Sequence, residues 1–231
     1  MISLAREGYP FVLGALSVAA ILAIAGAVRG GPLIWATAVV ALLCSLAFAF
    51  FFRDPNPPGP RNPHLLLAPA YGRIAQIREV DEPLVLQGRA IRVSIFLSIF
   101  NVHVQRAPIG GQVVHRSYKP GSFLVAWRDA ASESNEQAAL GIDTGTDRVL
   151  VRQIAGVIAR RIHTYPEQGD TVEQGQRIGL IRFGSRVDTF LPPDWTVKVR
   201  VGESVKAAVT VLAEDTGTGA ERRSAKGSGG G

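Results

Sequence analysis

Ser185 follows Gly184 inside a run, Gly179-Leu180-Ile181-Arg182-Phe183-Gly184-Ser185-Arg186-Val187-Asp188-Thr189-Phe190-Leu191-Pro192, that otherwise alternates like a strand. Ile178 and Leu180 lie on one phase, Ile181 and Phe183 on the other, and Val187, Thr189 and Leu191 resume the pattern after the break. A glycine inside a strand marks a bulge, a bend or a close backbone approach. Here a hydroxyl nucleophile stands beside the Gly184 carbonyl that it can attack. A serine hydroxyl attacks poorly until a base takes its proton, and imidazole titrates near neutrality. Among the four histidines, His103 lies between Val102 and Val104, so its side chain projects to the face opposite theirs. Such a group can also donate a proton to carbon. Alone on a strand, it has a structural role more often than a catalytic one.

The flanking residues decide between the two. Phe183-Gly184-Ser185-Arg186-Val187-Asp188, followed by Phe190-Leu191-Pro192, resembles the self-cleavage site of the phosphatidylserine decarboxylases in their short bacterial branch. Ser98-Ile99-Phe100-Asn101-Val102-His103-Val104-Gln105-Arg106-Ala107-Pro108 resembles that branch's Ser-Pro-Phe-Asn-Val-His-Val-Asn-Arg-Ala-Pro segment, with the family histidine falling on His103. Ile99 and Gln105 are the departures. Arg53-Asp54-Pro55, directly after an apolar run, is a third point of similarity.

The resemblance implies a chemistry. Ser185 attacks the preceding carbonyl, an ester forms by N-to-O acyl shift, and elimination breaks the chain between Gly184 and Ser185. Residue 185 is left as a covalent pyruvoyl cofactor, with the two chains of the cleaved proenzyme as partners. The pyruvoyl carbonyl replaces pyridoxal phosphate as electron sink for decarboxylation of phosphatidylserine to phosphatidylethanolamine, and no metal is implied. Tyr71 breaks the pattern. The family reads Pro-Ala-Asp-Gly, its aspartate orienting and charging the histidine, where this chain reads Pro69-Ala70-Tyr71-Gly72. A phenol, with an ordinary pKa of about 10, can hydrogen-bond a histidine but brings no charge at neutral pH. Asp188, Asp170 and Asp81 are the candidate substitutes.

The elements that must hold these residues begin with a membrane segment. Residues 9–28 and 33–52 are apolar runs of about 20 residues, the length of a bilayer-spanning helix, separated by Arg29-Gly30-Gly31-Pro32. The first run lacks a small-residue cleavage site, which argues against a removable signal peptide. Arg6 precedes the first run, and Arg53 and Arg61 follow the second, placing both termini on the cytoplasmic side of a bacterial inner membrane. Net charge is +6. The basic residues are scattered, without an aromatic-interleaved stripe, so an anionic bilayer accounts for them better than nucleic acid. One cysteine, Cys44, rules out internal disulfides and cysteine-built metal sites.

The expected organisation is a membrane hairpin over 1–53, a proline-rich linker over 54–64, a β catalytic domain over 65–215 and a disordered tail over 216–231. Period-two patterning predicts strands at Leu65–Pro69, Gly72–Ile77, Leu84–Leu86, Ile91–Ile95, Gln112–Arg116, Phe123–Trp127, Arg148–Ile154, Arg177–Phe183 and Trp195–Val201. One short helix is expected within Ala130–Gly141. The fold class is therefore a mainly β soluble domain of barrel-sandwich-like architecture after a two-helix hairpin. The segment Gly169-Asp170-Thr171-Val172-Glu173-Gln174-Gly175-Gln176 resembles a hairpin of lipoyl and biotinyl carrier domains, which opens a second reading as a membrane-anchored β-barrel adaptor. No lysine occurs between Lys119 and Lys198, so a carrier would lack its attachment residue.

Overall fold

The two apolar runs form an antiparallel pair of helices, α1 (Tyr9–Arg29) and α2 (Pro32–Phe51). Gly30 and Gly31 take positive φ values of 69° and 105°, which a residue with a β-carbon rarely adopts. Pro32 then opens α2 where its missing N–H has no helical partner to lose. By length and composition both helices can cross a membrane, with mean hydropathy of 2.5 and 2.4. Apart from Phe51, their buried residues are small: Ala19, Gly26, Ala38 and Ser45. Small residues let helices approach closely, and Ser45 Oγ donates to the Val12 carbonyl at 2.9 Å across the pair. Strand β1 (Ile2–Leu4) pairs with β2 (Arg53–Pro55), so Asp54 and Pro55, expected in the linker, belong to a two-stranded edge.

The computed structural model describes residues 2–121, 135–156, 161–182 and 185–215, in two compact units, Met1–Asn56 and Pro57–Gly231. The second unit is built of antiparallel strands: β3 (Leu65–Leu67), β4 (Gly72–Glu82), β5 (Gly88–Leu97), β6 (Val104–Arg106), β7 (Gly111–Lys119), β8 (Gln137–Asp143), β9 (Arg148–Ala155), β10 (Ile162–Thr164), β11 (Thr171–Val172), β12 (Arg177–Ile181), β13 (Ser185–Leu191), β14 (Thr196–Val197), β15 (Ser204–Val205) and β16 (Val211–Glu214). They form an eight-stranded sheet in the order β11-β7-β8-β9-β13-β5-β4-β15 and two three-stranded sheets, β10-β12-β6 and β14-β16-β3. Alternation decides which face is buried where. Val93, Ile95, Leu97, Val149, Val151, Val187 and Leu191 turn into a main core that also takes Ile178 and Ile181. Ala90, Ala139, Leu150 and Phe190 turn the other way and pack with Val85. This mainly β unit after a helical hairpin is the expected fold class.

Three expected elements differ. Leu84–Leu86 is a turn, because the buried Glu82 carboxylate accepts the N–H groups of Leu84, Val85 and Leu86 at 3.0, 2.8 and 2.9 Å. Those donors would otherwise belong to a ladder. The short helix expected within Ala130–Gly141 is strand from Gln137 onward, where β8 pairs on both sides with β7 and β9. Trp195–Val201 contributes only the two residues of β14. The expected strand Phe123–Trp127 and the tail 216–231 lie outside the described residues.

Candidate active site

Ser185 opens β13, a central strand. Its backbone stands opposite Leu97 of β5 on one side and Ala155 of β9 on the other. Ser185, Val187, Thr189 and Leu191 share the phase of β13 that faces the main core. Ser185 is fully buried, and its Oγ has no hydrogen-bond partner among the described residues. A buried hydroxyl in a folded protein is normally bonded, so this group is not a structural tie. Gly184 and Phe183 lie outside the described residues. What precedes them explains the break in alternation. β12 ends at Ile181 in a three-stranded sheet, and β13 begins at Ser185 in the eight-stranded one, so the two strands on either side belong to different sheets.

The segment carrying His103 makes the same crossing in reverse. β5 leaves the large sheet after Leu97, and β6 enters the three-stranded sheet at Val104. The two crossings are tied at both ends. Leu97 pairs with Ser185, and Ile181 N–H donates to the His103 carbonyl at 3.3 Å. Side-chain bonds close the turn between: Asn101 Oδ1 accepts from the Ser98 N–H at 2.9 Å and from Ser98 Oγ at 2.8 Å.

His103 is fully buried, and its Nδ1 lies 2.9 Å from the Asn101 carbonyl oxygen. A carbonyl only accepts, so Nδ1 carries the proton of this bond, and a ring that is neutral then has its lone pair at Nε2. That is the tautomer a general base needs. In serine hydrolases a carboxylate sets it; here main chain does, and no pattern of side-chain types could have announced that.

Tyr71 is half-buried and lies within electrostatic reach of Arg106, three residues beyond His103. Burial lowers the Arg106 pKa, and an ionised Tyr71 would oppose that effect. The guanidinium also donates through Nη1 to the Gly175 carbonyl at 3.0 Å. Two of the three candidate carboxylates have other partners, and the third is exposed. Asp188 pairs with Arg186, with Nη2–Oδ2 and Nε–Oδ1 both at 2.9 Å. Asp170 accepts from the Glu167 N–H at 2.9 Å, and Asp81 is exposed opposite Arg89 at the β4–β5 hairpin.

Residues 44–213 match the family profile of phosphatidylserine decarboxylase, a stretch that contains both crossings. The chain belongs to the phosphatidylserine decarboxylase family. Within it, a phosphatidylserine decarboxylase proenzyme of Symbiobacterium thermophilum is 50% identical over 210 residues, covering 90% of this chain and 94% of that one. A proenzyme of the same name from Salinibacter ruber is 48% identical over 72% of this chain and 75% of its own. One from Cupriavidus metallidurans is 42% identical over 91% and 94%. These phosphatidylserine decarboxylase relatives extend over most of the chain.

Proposed function

We propose that this chain is a proenzyme that cleaves itself between Gly184 and Ser185 and then converts phosphatidylserine into phosphatidylethanolamine. The observation that carries the reading is the Ser185 hydroxyl. It is buried, without a hydrogen-bond partner among the described residues, at the first residue of a strand tied to the segment of a tautomer-fixed histidine.

His103 Nε2 takes the Oγ proton, and Oγ forms a bond to the Gly184 carbonyl carbon. The C–N bond breaks as the residue 185 nitrogen accepts a proton, leaving an ester. Removal of the residue 185 α-proton expels the Gly184 carboxylate and leaves a carbon–carbon double bond. Addition of water and loss of ammonia turn this end into a pyruvoyl group. The unengaged hydroxyl fits that product, because no structural bond is lost when its oxygen leaves. As a pyruvoyl group, residue 185 supplies an electron sink for the charge left when carbon dioxide departs. His103 is then the proton donor to that carbon. Two apolar helices hold the β unit at a bilayer, where a phospholipid is presented. Arg53 and Arg61 favour the cytoplasmic face of a bacterial inner membrane.

Intact-mass measurement of the purified protein tests the reading. The expected result is a large chain ending at Gly184 and a small chain from 185 to 231, lighter by one ammonia than a serine-ended chain. Ser185→Ala gives a single uncut chain. A wild type that stays whole overturns the reading.

A further inference from the structure

We infer that Gln105, Gln153 and Thr164 form a buried polar plug that positions His103 relative to Ser185, an inference that rests on the proposed self-cleavage. The plug is a chain of three hydrogen bonds. Thr164 Oγ1 donates to Gln153 Oε1 at 2.8 Å, Gln153 Nε2 donates to Gln105 Oε1 at 2.9 Å, and Gln105 Nε2 donates to the His103 carbonyl at 2.6 Å. Its polarity is fixed from one end, because the His103 carbonyl can only accept. Each amide is thereby oriented in turn.

The plug passes between two sheets. Gln105 on β6 and Thr164 on β10 flank the same residue of β12, Gly179, in the three-stranded sheet. A β-carbon at Gly179 would collide with the Gln153 amide nitrogen and the His163 carbonyl oxygen. Gly179 thus leaves a hole in the middle strand, and Gln153 fills it from β9 of the eight-stranded sheet. Gln153 stands opposite Val187, two residues after Ser185 on β13, while Ala155, two residues further along β9, stands opposite Ser185 itself. Two side chains in series, Gln153 and Gln105, therefore link the strand next to the nucleophile with the backbone of the base. Both amides are nearly or fully buried, at 2% and 0% exposure. Apolar side chains would fill this space without an amide's desolvation cost, so stability alone is a weak reason for polar groups here.

Gln105, Gln153 and Thr164 touch no reacting atom and are positioning residues. A misplacement of about 1 Å costs on the order of a hundredfold in rate. Gln105→Met, Gln153→Met and the double variant keep the volume and remove the bonds. The His103 carbonyl retains its bond from Ile181 N–H. Chain cleavage is followed in time after cell-free synthesis, beside the wild type. The expected result is a rate constant lower by about 10- to 100-fold in each single variant. The double variant is no slower than the singles, because the residues act as one unit. Cleavage still runs to completion. In the matured variants kcat for phosphatidylserine falls while KM stays. If the wild type cleaves and the variants cleave at the same rate, the plug has no positioning role. The inference also fails if the variants keep the wild-type rate constant but leave part of the chain permanently uncut, since that is a folding defect. A wild type that does not cleave overturns the proposed function, and this inference with it.

Discussion

Ser185 and Asp188 lie on opposite faces of β13, the serine toward the main core and the aspartate toward the second apolar cluster. Three residues along a strand bring a side chain to the other face. Asp188 thus serves a buried ion pair with Arg186, close to Arg152 and the buried Glu82. Removing one partner of a buried pair strands the other charge, at about 3–5 kcal/mol. Asp188→Ala in a Ser185→Ala background, where the chain stays whole, lowers the urea-unfolding free energy by that amount. Combining Arg186→Met with Asp188→Leu recovers most of it, because apolar side chains need no partner. A loss below about 1 kcal/mol in the single variant shows that water reaches the pair.

Glu82 holds the turn that replaces an expected strand. Its carboxylate accepts three N–H groups, and charge-assisted bonds of this kind contribute more than neutral ones. Glu82→Gln keeps the size but offers one acceptor oxygen, and a cost of about 1–3 kcal/mol is expected. The loss should be local. Amide exchange quickens at Leu84, Val85 and Leu86, while the amides of β13 keep their protection.

Asp143 makes stability depend on pH, because its carboxyl pKa is depressed in the folded state. The Gly145 N–H, donating to its carboxylate at 2.8 Å, and the Arg148 guanidinium at 2.9 Å lower its pKa against a smaller opposing effect of burial. A carboxyl depressed in the folded state stabilises above its unfolded pKa, and the contribution is lost as pH falls through the folded one. Unfolding measured from pH 6 down to about pH 3 should therefore show a steeper acid limb in the parent than in Asp143→Asn. The site is partly exposed, so the difference stays within about 1 kcal/mol.

The helices were readable from run length, since roughly 20 apolar residues with a Gly-Gly-Pro break have few other folds. Alternation made β4, β5, β7, β9, β12 and β13 readable, whereas the short strands β10, β15 and β16 were not expected. Leu84–Leu86 was not readable, because an apolar triplet looks alike in a strand and in a turn, and the Glu82 carboxylate decides only in three dimensions. The helix expected within Ala130–Gly141 failed for a related reason: from Gln137 onward, pairing with two neighbouring strands overrides local preference. At the candidate site, Ser185 and His103 were singled out by their flanks. The Asn101 carbonyl that fixes the imidazole was not, since every residue has one. Nor was Gln153, which meets Gln105 from 48 residues away through a hole left by Gly179.

Tyr71 stands where the family pattern has its aspartate. The sequence expectation is that a carboxylate at this position charges the histidine, so that Tyr71→Asp speeds cleavage. The structure adds that the Asn101 carbonyl already engages Nδ1 and that the buried Arg106 lies within electrostatic reach of an anion at position 71. An aspartate placed here pairs with the guanidinium, which draws its charge away from the imidazole. Loss of the carboxylate in a hydrolytic triad costs about ten-thousandfold, and the wrong tautomer accounts for much of that. With the tautomer already fixed by main chain, the gain on restoring charge should be small. Tyr71→Asp is expected to change the cleavage rate constant by less than about tenfold, and Tyr71→Phe by less than about threefold, on the scale of one modest hydrogen bond. The measurement is a time course of chain cleavage after cell-free synthesis, with the wild type slow enough to resolve. An acceleration of a hundredfold or more in Tyr71→Asp means that charge, not tautomer, limits His103, and that the Asn101 carbonyl does not replace the carboxylate.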